Sequence, residues 1–337
     1  MKIAYSQIID AATQFLVSKG CGVTEALAAA EVLTEAEARG YPSQGLMRLS
    51  EIEQFLSNGF VQPNVVPHLG TASSAIQILK ADGALGYLVA RNAVDKATEL
   101  AKLYGIGAVG ITGASHIGYL THYAERGAAA GMFCLVTTVS SPAVGLPGSG
   151  KKLFGTNPLA YAFPTSKGIF CADISLAATS RGNVIKKDSE NRVFSEPVGF
   201  DKSGCATAIP KDILEGAIAP IGSSIRGCLL NLLISVLAGP LIGGVANHHV
   251  TGTRFANAKP NKGDFILCID INACTSPALF GESVEDFLEE IRASCKDFHV
   301  PGRHSLGRFA DKLRGGISLP QDIIQQLNLN LSSSEHP

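Results

Sequence analysis

The stretch "IGAVGITGASHIGYLTHYAERGAAAG", residues 106–131, decides how this chain folds. Its first seven residues are small or β-branched and predict a strand. Two glycines, Gly113 and Gly118, then allow a tight turn before a helix that begins near Thr121. This strand, turn and helix indicate an α/β fold. The turn can hold the imidazole of His116 out toward a ligand for proton transfer, although a structural, hydrogen-bonded histidine fits the same spacing.

Helices and strands alternate on both sides of this stretch. Upstream, residues 5–60 carry helical periodicity, which predicts three helices, the third over residues 43–58. Downstream, residues 182–222 are polar and rich in turn residues, and we expect an excursion with one or two short helices. Residues 264–271 then predict a strand and residues 283–297 an amphipathic helix.

Composition limits the function classes. Among 337 residues, 46% are hydrophobic and only 17% are charged, so we expect part of the surface to be covered by another subunit. The net charge of −1 gives no electrostatic footprint for nucleic acid. Eight scattered cysteines without a CxxC pair predict buried thiols in a reducing compartment, hence a cytoplasmic protein.

The apolar stretch of residues 227–246 raises the question of a membrane span. Its Asn231, its Pro240 and its glycines, with no flanking basic clusters, favour a buried core helix that ends near Gly239. The N-terminal residues 1–20 include an acid and do not have the pattern of a signal peptide. We therefore expect no membrane partner.

Several common site motifs are missing from the sequence. No GxGxxG follows an early strand, so a Rossmann dinucleotide domain has no support, and the glycine-rich residues 145–157 lack the GK[ST] of a Walker A loop. No histidines and acids stand at metal-ligand spacing, which predicts no metal site.

The segment "YPSQGLMRL", residues 41–49, has residues suited to an anionic substrate. Arg48 can hold a carboxylate through two parallel hydrogen bonds, although a surface salt bridge explains it equally well. Between Ser43 and Arg48 stands Gln44, an amide that cannot exchange a proton near neutral pH. Elsewhere, Asp201 in "VGFDKSG" fits either a site or a plain turn, and "FGTNP", residues 154–158, fits a ligand loop or a structural turn.

In this order, the segments resemble the type 2 malate/L-lactate dehydrogenase family from about residue 3 to about residue 328. The carrying segments are "RGYPSQGLMRL" (39–49), "GASHIGYLTHYAERGAAAG" (113–131), "PGSGKKLFGTNPLAYAFP" (147–164), "VGFDKSGCAT" (198–207), "LAGPLIGG" (237–244) and "VPGRHSLGR" (300–308). The family resemblance implies an α/β enzyme on a mixed, largely antiparallel, non-Rossmann sheet with flanking helices, and a homodimer. We expect an N-terminal helical region, residues 1–66, packed with residues 275–337, and a cofactor-binding α/β domain over residues 67–274.

The resemblance also implies roles for particular residues. Catalytic roles would fall to His116, Asp201, Ser43 and Gln44, and substrate binding to Arg48 and Thr156. An NAD or NADP cofactor would be bound by Ser140, Gly155, Asn157, Asp173, Ile174, Ser175, Arg226 and Arg303. The implied function is an NAD(P)H-dependent reductase or dehydrogenase for a small 2-oxo or cyclic 2-imino carboxylic acid.

Four departures from the family pattern bear on that function. Gln44 replaces the histidine that usually donates the proton, so His116 or water would have to supply it, or the substrate is an iminium that already carries its proton. Residues 173–177 lose two hydroxyls, Arg226 replaces a lysine, and Arg303 replaces a glutamate and would attract a phosphate, as in NADP. Because three changes fall on the cofactor side, two alternatives stay open. One is an enzyme without nicotinamide that tautomerises, dehydrates or cyclises a similar acid, and the other is a non-catalytic binding protein.

Overall fold

Ten strands are present in the computed structural model, which describes residues 2–253, 256–295 and 297–329. They are β1 (His68–Ala72), β2 (Ile76–Lys80), β3 (Ile106–Thr112), β4 (Met132–Thr138), β5 (Leu159–Thr165), β6 (Gly168–Ile174), β7 (Gly199–Phe200), β8 (Ala206–Thr207), β9 (Ala217–Ile218) and β10 (Gly263–Asp270). Seven of them form one sheet in the order β1-β2-β3-β10-β4-β5-β6, and β8-β7-β9 form a small second sheet.

The large sheet is mixed and mostly antiparallel. Strands β2 and β3 pair in parallel, whereas the other five pairings in this sheet are antiparallel. The last strand in the chain, β10, lies between β3 and β4, with Ile266 opposite both Val109 and Val136. Because these strands are buried on both faces, they read as nearly continuous apolar runs. The expected fold class, a mixed and largely antiparallel α/β fold, is confirmed.

Twelve α-helices surround the strands in the described part of the chain. They are α1 (Tyr5–Ser18), α2 (Val23–Ala38), α3 (Arg48–Ser57), α4 (Gly86–Tyr104), α5 (Thr121–Ala129), α6 (Arg181–Ser189), α7 (Pro210–Glu215), α8 (Ile225–Leu237), α9 (Ile271–Cys274), α10 (Pro277–Ser294), α11 (Arg303–Gly315) and α12 (Gln321–Gln326). Helix α4 lies so close to the sheet that a Cβ on Gly107 would come within 2.2 Å of the Ala97 carbonyl oxygen. Glycine at this position therefore sets the helix-to-sheet distance.

The third helix differs from the sequence expectation. Instead of one helix over residues 43–58, a 3₁₀ turn (Pro42–Gln44) is followed by α3, which begins at Arg48. Gly45 has a non-helical ψ of −144° and packs against α2, where a Cβ would come within 2.4 Å of a Glu37 carboxylate oxygen. This contact interrupts the helix, so Gln44 and Arg48 do not share one helical face. Helix α11 was not foreseen.

Helix α8 is only half buried, which corrects the expectation of a buried core helix. One face is buried through Cys228, Asn231, Ile234 and Ser235. The other face exposes apolar side chains, namely Ile225, Leu229, Leu230, Leu232, Leu233 and Val236. By length and composition alone, the window Ile225–Ile242 could cross a membrane, and 44% of it is buried within the protein.

The cysteines also depart in part from the expectation. Five of the eight are buried, but Cys205, Cys274 and Cys295 are exposed. The first lies in the turn between β7 and β8, and the other two lie at helix ends, where the chain leaves the core. All eight are free thiols.

The two ends of the described chain lie together. Ile3 forms an antiparallel bridge with Ile317, and the ring of Tyr5 packs edge-on against Phe309 with centroids 5.5 Å apart. These contacts join the N-terminal helices to α11 and the segment that follows it. The division at residues 66 and 275 stays a prediction, and residues 330–337 of the expected C-terminal part lie outside the described residues.

Candidate active site

A cavity of about 350 Å³ opens at one end of the strands of the large sheet. Strands β3, β4 and β6 finish at this end, and β5 and β10 begin there. The pairs Thr112 with Gly263, Thr138 with Asp264, and Leu159 with Ile174 show this arrangement. The loops that follow β3, β4 and β6 therefore meet. The 3₁₀ turn with Gln44 and the start of α3 close another side.

The cavity gathers most, but not all, of the residues expected from the sequence. Its lining includes Ser43, Gln44, Arg48, His116, Ser140, Thr156, Asp173 and Ser175. It does not include Asp201, Gly155, Asn157, Ile174, Arg226 or Arg303.

Arg48 is held rigidly beside the cavity. Its Nε donates to the Ser43 carbonyl oxygen at 2.9 Å, and its Nη1 forms an ion pair with Glu51 one turn along α3. The residue is 7% exposed. A guanidinium fixed in this way is preorganised to receive a carboxylate, although it must share its charge with Glu51.

Gln44 presents a polar atom without a partner. Its Oε1 is buried and has no hydrogen-bond donor among the described residues. An unpaired buried polar atom costs free energy, so the Gln44 oxygen at this cavity points to a polar ligand that pairs with it.

His116 is fixed by its own loop. Its Nδ1 accepts a hydrogen bond from the Gly118 backbone N–H at 2.9 Å. Nδ1 therefore carries no proton, and the neutral ring has its proton on Nε2. In this geometry, His116 offers a neutral N–H donor. To act as an acid it would first have to become an imidazolium, which would break the bond to Gly118.

Hydroxyl groups form one wall of the cavity. The Ser140 Oγ accepts from the Thr156 backbone N–H at 3.1 Å, and the two side-chain oxygens lie 3.4 Å apart. The Ser175 hydroxyl donates to the Thr156 carbonyl oxygen at 3.3 Å. Asp173 ties this wall to α5, because its Oδ2 accepts from the backbone N–H and the hydroxyl of Thr121, both at 3.2 Å.

Asn157 supports this wall from behind. It is fully buried, and its side chain accepts from the Ser140 backbone N–H at 3.1 Å and donates to Asn247 at 2.6 Å and to Ser235 at 3.1 Å. The Gly155 backbone N–H donates to the same Asn247 at 3.0 Å. Instead of bonding only its own backbone, the "FGTNP" turn joins the Ser140 loop to α8. The structure thus gives Asn157 and Gly155 a supporting position behind the cavity wall.

Four other expected residues lie away from the lining. Asp201 sits in the turn between β7 and β8, where bonds from the Ser203 hydroxyl and from backbone N–H groups hold the pKa of its carboxyl below the usual range. Arg303 binds the buried carboxylate of Glu285 at 2.5 Å, so its charge already has a partner. Arg226 is exposed on the first turn of α8, and Ile174 is exposed at the end of β6.

Lys262 was missed by sequence reasoning. It directly precedes β10, is 2% exposed and lines the cavity. Its ammonium group forms an ion pair with Asp264 and lies 3.4 Å from the Thr138 hydroxyl. Lysine and aspartate two residues apart at a strand start share one face, and this spacing in "NKGDFILCID" is the signal that could have revealed the pair. Among the described residues, no group of three His, Cys, Asp or Glu could hold a metal ion.

Comparison with known proteins adds to this geometry. A family model described as malate/L-lactate dehydrogenase matches residues 3–328. The malate/(S)-sulfolactate dehydrogenase of Methanothermus fervidus is 28% identical over 91% of each chain. The Δ1-pyrroline-2-carboxylate reductase 1 of Burkholderia ambifaria is 27% identical over 96% of each chain. The solved structure of sulfolactate dehydrogenase from Methanocaldococcus jannaschii superposes with a TM-score of 0.90 at 26% identity, covering 97% of this chain and 95% of that one.

Proposed function

The chain belongs to the malate/L-lactate dehydrogenase family, a family of oxidoreductases, and from this premise we propose that it is an NAD(P)-dependent enzyme for small carboxylic acids. The reaction interconverts a 2-oxo or cyclic 2-imino acid with the corresponding 2-hydroxy or 2-amino acid. The observation that carries this proposal is one cavity whose lining combines the guanidinium of Arg48, the ring of His116 and the hydroxyl groups of Ser140 and Thr156.

The residues present fit a nicotinamide beside a small acid. A volume of about 350 Å³ is within the range of small-molecule sites. The buried, unpaired Oε1 of Gln44 offers a hydrogen-bond position to a polar ligand. Ser140, Thr156 and Ser175 would hold the cofactor. When bound, a nicotinamide supplies or accepts the hydride.

The chain's own residues bind and orient the acid. Arg48 receives the carboxylate, and the Ser43 carbonyl keeps the guanidinium in place. The Nε2–H of neutral His116 donates to the oxygen or nitrogen on carbon 2. Apolar neighbours in the lining, Ile117, Leu120 and Val139, exclude water from the reacting carbon. The relatives named above are a dehydrogenase and a reductase, which favours this redox function over proton-transfer chemistry alone.

The test is the change in absorbance at 340 nm with NADH or NADPH and a panel of acids. The panel contains oxaloacetate, 3-sulfopyruvate, pyruvate and Δ1-pyrroline-2-carboxylate. We expect turnover with at least one acid, and Arg48→Met should lower kcat/KM roughly 10- to 100-fold because a charged hydrogen bond is lost. Arg314→Met, which removes an exposed arginine on α11, is the matched control and should keep the wild-type value.

Two results would contradict the proposal. One is no turnover across the panel together with no binding of either reduced nucleotide by fluorescence titration. The other is turnover that Arg48→Met and Arg314→Met leave equally unchanged, because the carboxylate would then be bound elsewhere. Comparing Arg303→Met with wild type on NADH and NADPH also tests whether Arg303, which is paired with Glu285, discriminates between the two nucleotides.

The active protein is proposed to be a cytoplasmic homodimer. The exposed apolar face of α8 supports the dimer, because contiguous apolar surface of this kind usually marks an interface. Eight free cysteines favour a reducing compartment.

A further inference from the structure

Gln44 and His116 do not account for the proton of the proposed reduction. The Gln44 amide cannot donate a proton and form a stable conjugate base near neutral pH. The His116 ring accepts the Gly118 N–H at Nδ1, so it holds one proton, on Nε2, and a neutral imidazole is far too weak an acid to give that proton away. An ammonium group inside the cavity can supply this proton.

Lys262 carries such a group, and it directly precedes β10, which lies between β3 and β4. Its carbonyl oxygen accepts the Gly113 backbone N–H at 3.0 Å, so it lies opposite the start of the loop that carries His116. Its ammonium lies 3.4 Å from the hydroxyl of Thr138, the last residue of β4 before the Ser140 loop. Lys262 thus contacts the start of the loop that carries His116 and the end of β4, directly before the Ser140 loop.

We propose that Lys262 is a catalytic residue that gives the proton to the oxygen or nitrogen on carbon 2 during reduction, in place of the missing imidazole at position 44. This assignment rests on the proposed function. Carbon 2 gains a hydride from the reduced nicotinamide, which is oxidised, and the carbonyl π pair moves onto the oxygen. One N–H bond of Lys262 breaks as the new O–H bond forms. The resulting neutral amine regains its proton from solvent before the next turnover.

The surroundings suit a lysine acid. Burial lowers the pKa of Lys262 below its usual value, while the charge of Asp264 and the hydrogen bond to it act in the opposite direction. Asp264 is fully buried, and its Oδ2 has no hydrogen-bond donor among the described residues. The other titratable or charged side chains in the lining of this cavity are Tyr41, Arg48, His116, Tyr119, Asp173 and Arg181. Tyr123 of α5 lies near Asp264, and burial raises its pKa so that it stays neutral.

The first experiment compares Lys262→Met with wild type in steady-state reduction. We expect kcat to fall roughly 10²- to 10⁴-fold, the usual range for loss of a general acid, with KM changed far less. In the wild type, reduction should slow as pH rises through the lysine pKa, and oxidation should accelerate over the same range. Both pH dependences should disappear in Lys262→Met.

Adding Gln44→His to Lys262→Met should restore part of kcat, because it returns an imidazole acid to the cavity.

Lys262→Met leaves Asp264 buried without a partner, so the fold needs its own check. The double variant Lys262→Met/Asp264→Asn removes both charges together and should fold while keeping the low kcat. If only the single variant is unfolded, the double variant provides the comparison.

A second readout does not depend on turnover. In cofactor-free protein, calorimetric titration compares pyruvate with propionate, which lacks the oxygen on carbon 2. Lys262→Met/Asp264→Asn should weaken pyruvate binding about 10-fold and leave propionate binding unchanged, since only pyruvate offers an acceptor to the ammonium.

The outcomes separate the two proposals. Wild-type turnover that Lys262→Met and the double variant retain would overturn the role of Lys262 and leave the proposed function standing. A fall in kcat with an unchanged pH profile, and with pyruvate and propionate weakened alike, would also overturn it, since this is the result of a purely structural lysine. No wild-type turnover with any acid of the panel would overturn the proposed function and this assignment together.

Discussion

Glu35 on α2 is a nearly buried carboxylate that the fold keeps ionised. Its Oε2 lies 2.6 Å from Nδ1 of His122 and its Oε1 lies 2.6 Å from the guanidinium of Arg39. Burial acts to raise the pKa of Glu35, but the hydrogen bond and charge of His122 and the charge of Arg39 outweigh it and hold the pKa at about 2. The charged form is therefore favoured in the folded state.

The pH dependence of stability follows from this depressed pKa. The contribution of Glu35 is fully present above its unfolded pKa of about 4.3 and is lost as pH falls toward the folded value of about 2. The loss should reach ~3 kcal/mol. Urea unfolding between pH 7 and pH 2 should show a shallower acid loss for Glu35→Gln than for wild type. Glu196→Gln, at an exposed carboxylate, serves as control, and equal acid slopes for all three proteins would contradict this prediction.

Single residues of the candidate site differ in how well the sequence predicted them. Ser43, Gln44, Arg48 and His116 were assigned from short motifs and resemblance, and the fold brings them to one cavity. Lys262 belongs to no motif, because its importance comes from its position before a central strand. Spacing also could not show that Asn157 faces away from the cavity, since its partner Asn247 lies 90 residues further along the chain.

At the scale of an element, the sequence predicted the helical structure of α8 but not the face that it buries. Its apolar sequence predicted a helix correctly, but it did not reveal that one side packs on the core through Asn231 and Ser235 while leucines face outward. A helix that is apolar all round gives no periodic signal for its buried face. For α3, the sequence pattern ran through Gly45 because the contact with Glu37 that stops the helix joins two different elements.

The outward face of α8 gives a prediction about assembly. Leu229 and Leu233 stand one turn apart and are both more than half exposed. Changing both to aspartate should weaken dimerisation roughly 30-fold or more, because each charge would be buried at an apolar interface. Size-exclusion chromatography with light scattering should then show a monomer at concentrations where the wild type is a dimer. Val193→Asp, at an exposed apolar side chain on another surface, should stay dimeric. A monomeric wild type would contradict the proposal.

At the scale of the whole molecule, one apolar core joins the two regions expected from the sequence. The same cluster contains Leu16 and Leu33 of the N-terminal helices, Ile111 and Ile266 of the sheet, and Ile317 near the C-terminal end. This cluster therefore has members on both sides of the predicted boundary near residue 66.

This continuous core predicts cooperative unfolding. Calorimetry should show one transition with calorimetric and van't Hoff enthalpies that agree. Leu33→Ala, at a fully buried side chain, should destabilise the protein by about 2–5 kcal/mol and move that single transition without splitting it. Leu103→Ala, at an exposed leucine of α4, should leave the transition near its wild-type temperature. Two separate transitions would show that the regions fold independently.

The sequence by itself determined the family, the α/β class and most helices and strands, because these depend on local periodicity and on short motifs that keep their order along the chain. Only the tertiary structure decided which side chains meet. The cavity forms where β3, β4 and β6 end and β10 begins, and β10 is inserted between β3 and β4 from more than 120 residues later in the chain. Long-range strand pairing of this kind leaves no local pattern. For this reason the Lys262–Asp264 pair, the support behind "FGTNP" and the exposed face of α8 became visible only in the folded molecule.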